Sequence, residues 1–129
     1  MKKAKHLILL VFDSTKELEP IETNLMRNGF QISKSEDLKD ALKKAENAIP
    51  DLIVVNTINT EKDVEAFSKQ VKMKYLRKVI LPSAIELEDY LNIETSEHLV
   101  IRSLMLNKIY RNNKIVFFIS QQEFKNYPN

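Results

Sequence analysis

Short apolar runs alternate along this chain with stretches whose apolar residues fall three and four apart. Leu7 to Phe12 is apolar at every position, which reads as a central strand buried on both faces. Asp13-Ser14-Thr15 can cap a helix with Leu18, Ile21, Leu25 and Met26 on one face. Pro20 suits only the start of a helix, which predicts a late beginning, and Asn28-Gly29 predicts its end. Phe30 to Ser33 reads as a second strand. Ser35-Glu36-Asp37 opens a helix whose inner face is Leu38, Ala41, Leu42 and Ala45. Pro50 closes that region, and Leu52 to Val55 is a third, fully apolar strand. Val64, Phe67, Val71 and Tyr75 form the stripe of a third helix.

Val79-Ile80-Leu81 is a fourth strand ended by Pro82. Ile85 to Leu91 is a short helix, and His98 to Ile101 a fifth strand. The last quarter admits three readings. One is a helix over about Leu104 to Arg111 followed by a strand over Lys114 to Ile119. The second is one long helix carrying Ile109, Tyr110, Val116, Phe117 and Phe124. The third is a hairpin turning at Asn112-Asn113. The alternation of strands and helices predicts an α/β fold, a doubly wound, five-stranded parallel sheet with helices on both faces. Residues 1–129 are read as a single domain, with a core over about 3–106 and an atypical C-terminal extension over 107–129.

Composition narrows the chemistry. There is no cysteine, which excludes disulfides, thiolate catalysis and thiolate metal sites. The single glycine, Gly29, speaks against glycine-rich loops that cradle phosphate. A formal charge of +2 is too small to imply nucleic acid or membrane. No run approaches the ~20 apolar residues of a membrane span, and Leu7 to Phe12 is too short for the apolar region of a signal peptide. A cytoplasmic location is expected. Lys69, Lys72, Lys74, Arg77 and Lys78 are read as a solvated basic face, since only Tyr75 lies nearby to stack on bases. His6 and His98 stand on unrelated segments and are not read as ligands; Ser83 has no histidine placed to activate it.

Asn56 ends the third strand, where the side chain of an open α/β sheet faces its ligand crevice. Several segments around it resemble the receiver domain of bacterial response regulators. Leu7 to Asp13 looks like that family's first strand with its acidic pair. Gly29-Phe30 looks like its entry into strand two, and Pro50-Asp51-Leu52-Ile53-Val54-Val55-Asn56 like its phosphoacceptor strand. Ile80-Leu81-Pro82-Ser83-Ala84 and Leu99-Val100-Ile101-Arg102 are similar to its fourth and fifth strands. The likeness covers about Lys3 to Leu106.

The departures from the family pattern fall in its pocket. The resemblance implies an acidic pair at Phe12-Asp13, a phosphoacceptor at Asn56, a hydroxyl at Ser83, a basic residue at Arg102 and a switch position at Leu99. Phe12 removes one carboxylate and Asn56 replaces the acceptor with an amide. An amide is no nucleophile, and one carboxylate, Asp13, is a poor magnesium site. Asp13 and Arg102 are expected to form an ion pair in place of metal and phosphoryl group.

The function implied is a degenerate receiver, a phosphorylation-independent protein-interaction module in signal transduction or transcriptional regulation. No enzymatic activity, metal or cofactor is expected. The partner is a regulatory protein, with a homodimer through about Ile85 to Tyr110 as a further option; direct nucleic-acid binding and membrane contact are not expected. An output domain beyond Asn129 is left open. The alternatives are a flavodoxin-like small-ligand domain and the regulatory half of a DNA-binding regulator.

Overall fold

The computed structural model describes residues 6–58, 61–71, 76–81, 99–100, 102–104 and 115–120. In chain order the elements are β1 (Leu7–Phe12), α1 (Thr15–Arg27), β2 (Gln31–Ser35), α2 (Leu38–Asn47), β3 (Leu52–Asn56), α3 (Glu61–Gln70), β4 (Leu76–Leu81) and β5 (Ile115–Ser120). The five strands form one sheet in the order β2-β1-β3-β5-β4. β1 pairs in parallel with β2 and β3, whereas β5 runs antiparallel to both β3 and β4. The fold is α/β, and its sheet is mixed, not wholly parallel.

The continuous apolar runs follow from burial on both faces. Ile8, Leu10, Phe12, Leu52 and Val54 join Leu18, Ile21 and Leu25 of α1 in one cluster. Leu9, Val11, Ile53 and Val55 join Ala41 and Ala45 of α2, Val64 and Phe67 of α3, and Phe118 in the other. Alternate residues of each strand therefore feed opposite cores. Phe67 and Phe118 meet with ring centroids 5.6 Å apart at 59°, a tilted pairing that aromatic quadrupoles favour.

Local signals are honoured with few exceptions. Asp37 caps α2, accepting a hydrogen bond from Asp40 N at 2.8 Å. Gly29 has φ +90° and closes α1. Its N–H donates to Met26 O at 3.1 Å, and Phe30 N–H reaches back to Leu25 O at 3.2 Å. That is the six-to-one and five-to-two pattern of a Schellman stop, with Phe30 and Leu25 sharing the same core. A Cβ at Gly29 would meet nothing within 4 Å, so only backbone strain opposes a side chain. Gly29→Ala is expected to cost about 1–2 kcal/mol, the left-handed penalty for an L-residue; an unchanged urea midpoint would contradict this.

Two expectations for α1 fail. The helix starts at Thr15 with Pro20 inside it. Pro20 and Lys16, whose carbonyl loses its usual partner, are both exposed, where water can replace the missing hydrogen bond. Met26, placed on the inner face by its spacing, is 58% exposed, while Leu18, Ile21 and Leu25 are buried.

The fifth strand is also corrected. Residues 99–100 and 102–104 are helical, so the strand expected over His98 to Ile101 is overturned at Leu99 and Val100, its described positions. Val100, Ser103 and Leu104 are buried while Leu99 and Arg102 are exposed, the spacing of one helix face. A four-residue apolar run cannot separate the two states by itself. The strand reading of the last quarter holds instead, since Ile115–Ser120 is β5. Tyr75, Ser83 and most of the surface from Ile85 to Tyr110 lie outside the described residues.

Asp51 ties the amino ends of the strands together. Its carboxylate accepts Leu7 N–H at 2.9 Å, and its own N–H donates to Leu7 O at 2.8 Å. His6 Nδ1 lies 3.4 Å from the same carboxylate, and His6 O accepts Gln31 N–H at 3.0 Å. Asp51 thus links the start of β3 to β1, and His6 carries the connection on to β2 through its backbone carbonyl. Asp51→Ala leaves the Leu7 N–H without its charged acceptor. A loss of about 1–3 kcal/mol is expected, read from chemical denaturation; Asp51→Asn, which keeps an acceptor oxygen, should recover part of it.

Candidate functional site

The carboxyl ends of β1 and β3 lie side by side, with Phe12 opposite Asn56 in the register. Phe12 is 2% exposed and Asn56 1%. Val55 stands opposite Val116 on the other flank, so one residue further along Asn56 faces Ile115. Cross-strand neighbours project from the same face of a sheet, and Phe12 and Ile115 are both buried in one apolar cluster. An amide between a phenyl ring and an isoleucine has no polar neighbour in its row. Accordingly both Nδ2 and Oδ1 of Asn56 are buried without a hydrogen-bond partner. Such groups cost free energy and are rare in native structures.

Asp13, one residue past β1, is exposed and belongs to a different feature. It lines a cleft of about 530 Å³ with Phe12, Thr15 and Leu18 on one side and Lys34, Ser35, Glu36, Asp37, Asp40 and Lys44 on the other. The cleft sits where β1 and β2 hand over to α1 and α2. Both of its lysines have carboxylate partners. Lys44 Nζ donates to Lys34 O and lies 3.3 Å from the Asp40 carboxylate, and Lys34 pairs with Glu22 at 3.2 Å. Ser35 is buried and its hydroxyl donates to Asp37 O at 2.8 Å. The same hydroxyl is the main influence holding the Asp40 carboxyl below its usual value, followed by Lys44. A lowered carboxyl stabilises the fold above its ordinary pKa and loses that contribution as pH falls through the lowered value. Asp40→Asn should therefore flatten the acid side of the stability profile slightly; a steeper profile would contradict the assignment.

The described residues among those singled out in the sequence fall in different places. Phe12 and Asn56 are neighbours in the core, and Asp13 opens into the cleft. Arg102 is exposed on the helical stretch and not at the end of a strand. Leu99, the expected switch position of a fifth strand, is helical and 39% exposed. Ser83 lies outside the described residues. Among the described residues no group of three or more His, Asp or Glu side chains is placed to hold a metal ion. Ile115 carries no functional signal in the sequence, because only the strand order brings it to Asn56. The cleft residues Ser35 and Asp37 read as a helix start, and nothing in their spacing marks a concavity.

No protein-family model matches the chain, and no solved structure matches it. Over 83 residues, 64% of its length, the chain is 32% identical to the alkaline phosphatase synthesis transcriptional regulatory protein PhoP of Bacillus subtilis (strain 168). The match takes in 35% of that protein, so the chain spans about a third of the length of the relative it matches. That relative is by name a regulatory protein, which agrees with the regulatory class the sequence resembles. Among the described residues no helix is long and apolar enough to cross a membrane.

Proposed function

We propose that this chain is a degenerate receiver domain, a regulatory protein-interaction module that works without phosphorylation. The observation that carries the reading is Asn56. It ends the strand that resembles the phosphoacceptor strand, it bears an amide, and it is buried to 1% exposure against apolar neighbours. A phosphoryl acceptor must be nucleophilic and reachable by its donor; this side chain is neither. The parallel β2-β1-β3 half of the sheet, with α1 on one face and α2 on the other, supports the same reading, as does the likeness to a transcriptional regulatory protein. The domain carries no enzymatic activity in this reading, and its partner is a regulatory protein in the cytoplasm.

The test is capture from a native extract with the intact chain and an Asn56→Asp variant in parallel, the bound proteins being identified by mass spectrometry. Recovery of the same signalling protein by both forms is expected. Recovery of nucleic acid or a small molecule and no protein would overturn the proposal. The cleft beside Asp13 favours a second reading, a flavodoxin-like small-ligand domain, because it is a polar concavity at the carboxyl edge of the sheet. A thermal-shift screen separates the two, since only the second predicts stabilisation by a small molecule.

A further inference from the structure

Strand β5 lies between β3 and β4 and runs antiparallel to both. β3 and β4 therefore point the same way, with their carboxyl ends at one edge of the sheet. They stand two strand spacings apart, about 10 Å. In the register Leu81 is opposite Ile115, and the next step of the neighbouring ladder brings Asn56 opposite Ile115. Asn56, Ile115 and Leu81 thus line up across three strands at that edge. Ile115 and Phe118 of β5 are both fully buried, one in each core cluster. A strand with a buried side chain on either face and a partner on either edge is an interior element of the fold.

From this we infer that β5 is a built-in plug. It sets the chain's own Ile115 between the carboxyl ends of β3 and β4, at the edge where an open α/β sheet admits a ligand. With that position filled, the domain is held in one conformation whatever phosphoryl donor or divalent cation is present. The inference rests on the receiver reading for the identity of the plugged site. It goes beyond that reading in assigning the loss of response to the strand order as well as to Phe12 and Asn56. Restoring a carboxylate at one position does not remove a strand.

The experiment is hydrogen exchange read by mass spectrometry on the full chain, with and without magnesium and acetyl phosphate, for the native protein and Asn56→Asp. Amides of 115–120 are expected to be as protected as those of 52–56, within about tenfold, and unchanged by the additives. Asn56→Asp is expected to gain no phosphoryl mass. Exchange in 115–120 at the rate of exposed segments overturns the plug, as does phosphoryl uptake on the introduced carboxylate or a change in exchange on adding magnesium and acetyl phosphate. The native-chain measurement decides the matter even where the variant fails to fold. Loss of the plug leaves the interaction reading standing on partner capture. Protected 115–120 amides in a chain that captures no protein sink that reading and leave the plug.

Discussion

Phe118→Ala is expected to destabilise the protein by about 3–5 kcal/mol, the range for deleting a buried phenyl ring. Phe118 is fully buried and rests against Phe67 of α3, with Val55, Ala45 and Val71 in the same cluster. Removing the ring loses its transfer free energy and leaves a cavity that two strands and two helices cannot readily close. The magnitude matters because domains of this size are stable by only about 5–15 kcal/mol. The variant therefore tests whether β5 is an interior strand. An equilibrium unfolding change under about 1 kcal/mol would show that it is not.

Asn56→Asp is expected to cost about 3–5 kcal/mol at neutral pH, the scale of an uncompensated buried charge. Among the described residues, the cross-strand neighbours Phe12 and Ile115 offer the carboxylate no hydrogen bond or countercharge. Burial disfavours the ionised form and raises the pKa of the introduced group in the folded state. The folded protein then holds a proton that the unfolded chain releases, so stability falls as pH rises through that interval and recovers in acid. The direction is opposite to that of Asp40, whose carboxyl is lowered by Ser35 and Lys44. Asn56→Leu, with the same branching and number of side-chain heavy atoms, removes two unsatisfied buried groups and is expected to be neutral or stabilising. Urea titrations of the three forms at two pH values check the set. Equal stability of the Asp variant and the native protein at neutral pH would mean that water reaches the site.

The pattern of apolar residues was a sound guide wherever one segment settles its own structure. β1 and the Leu52–Val55 part of β3 are apolar at every position because both their faces are covered, and that is visible without knowing by what. The Ala41 and Ala45 face of α2 and the Val64 and Phe67 face of α3, continued by Val71 just past its end, follow from helical spacing. The stop at Gly29 follows from the one residue that takes φ +90° without strain. Asn56 was placed at the end of its strand for the same reason, and its amide chemistry is a property of the residue alone.

Strand order and partner choice were not legible, because they depend on which segments meet after each is formed. Ile115–Ser120 reads as a strand, yet nothing local says that it enters between β3 and β4 in reverse. Val100 and Leu104 become one face of a helix only when the α1 side of the sheet is there to receive them. The burial of Asn56 between Phe12 and Ile115 is decided by register across three strands, a long-range property with no signal in a single run of sequence. By itself the sequence determined the alternation of the early elements, the Asp37 cap of α2 and the amide at the end of β3. Only the tertiary structure decided that the Asn56 end of β3 is buried, because burial is conferred by neighbours distant in the chain.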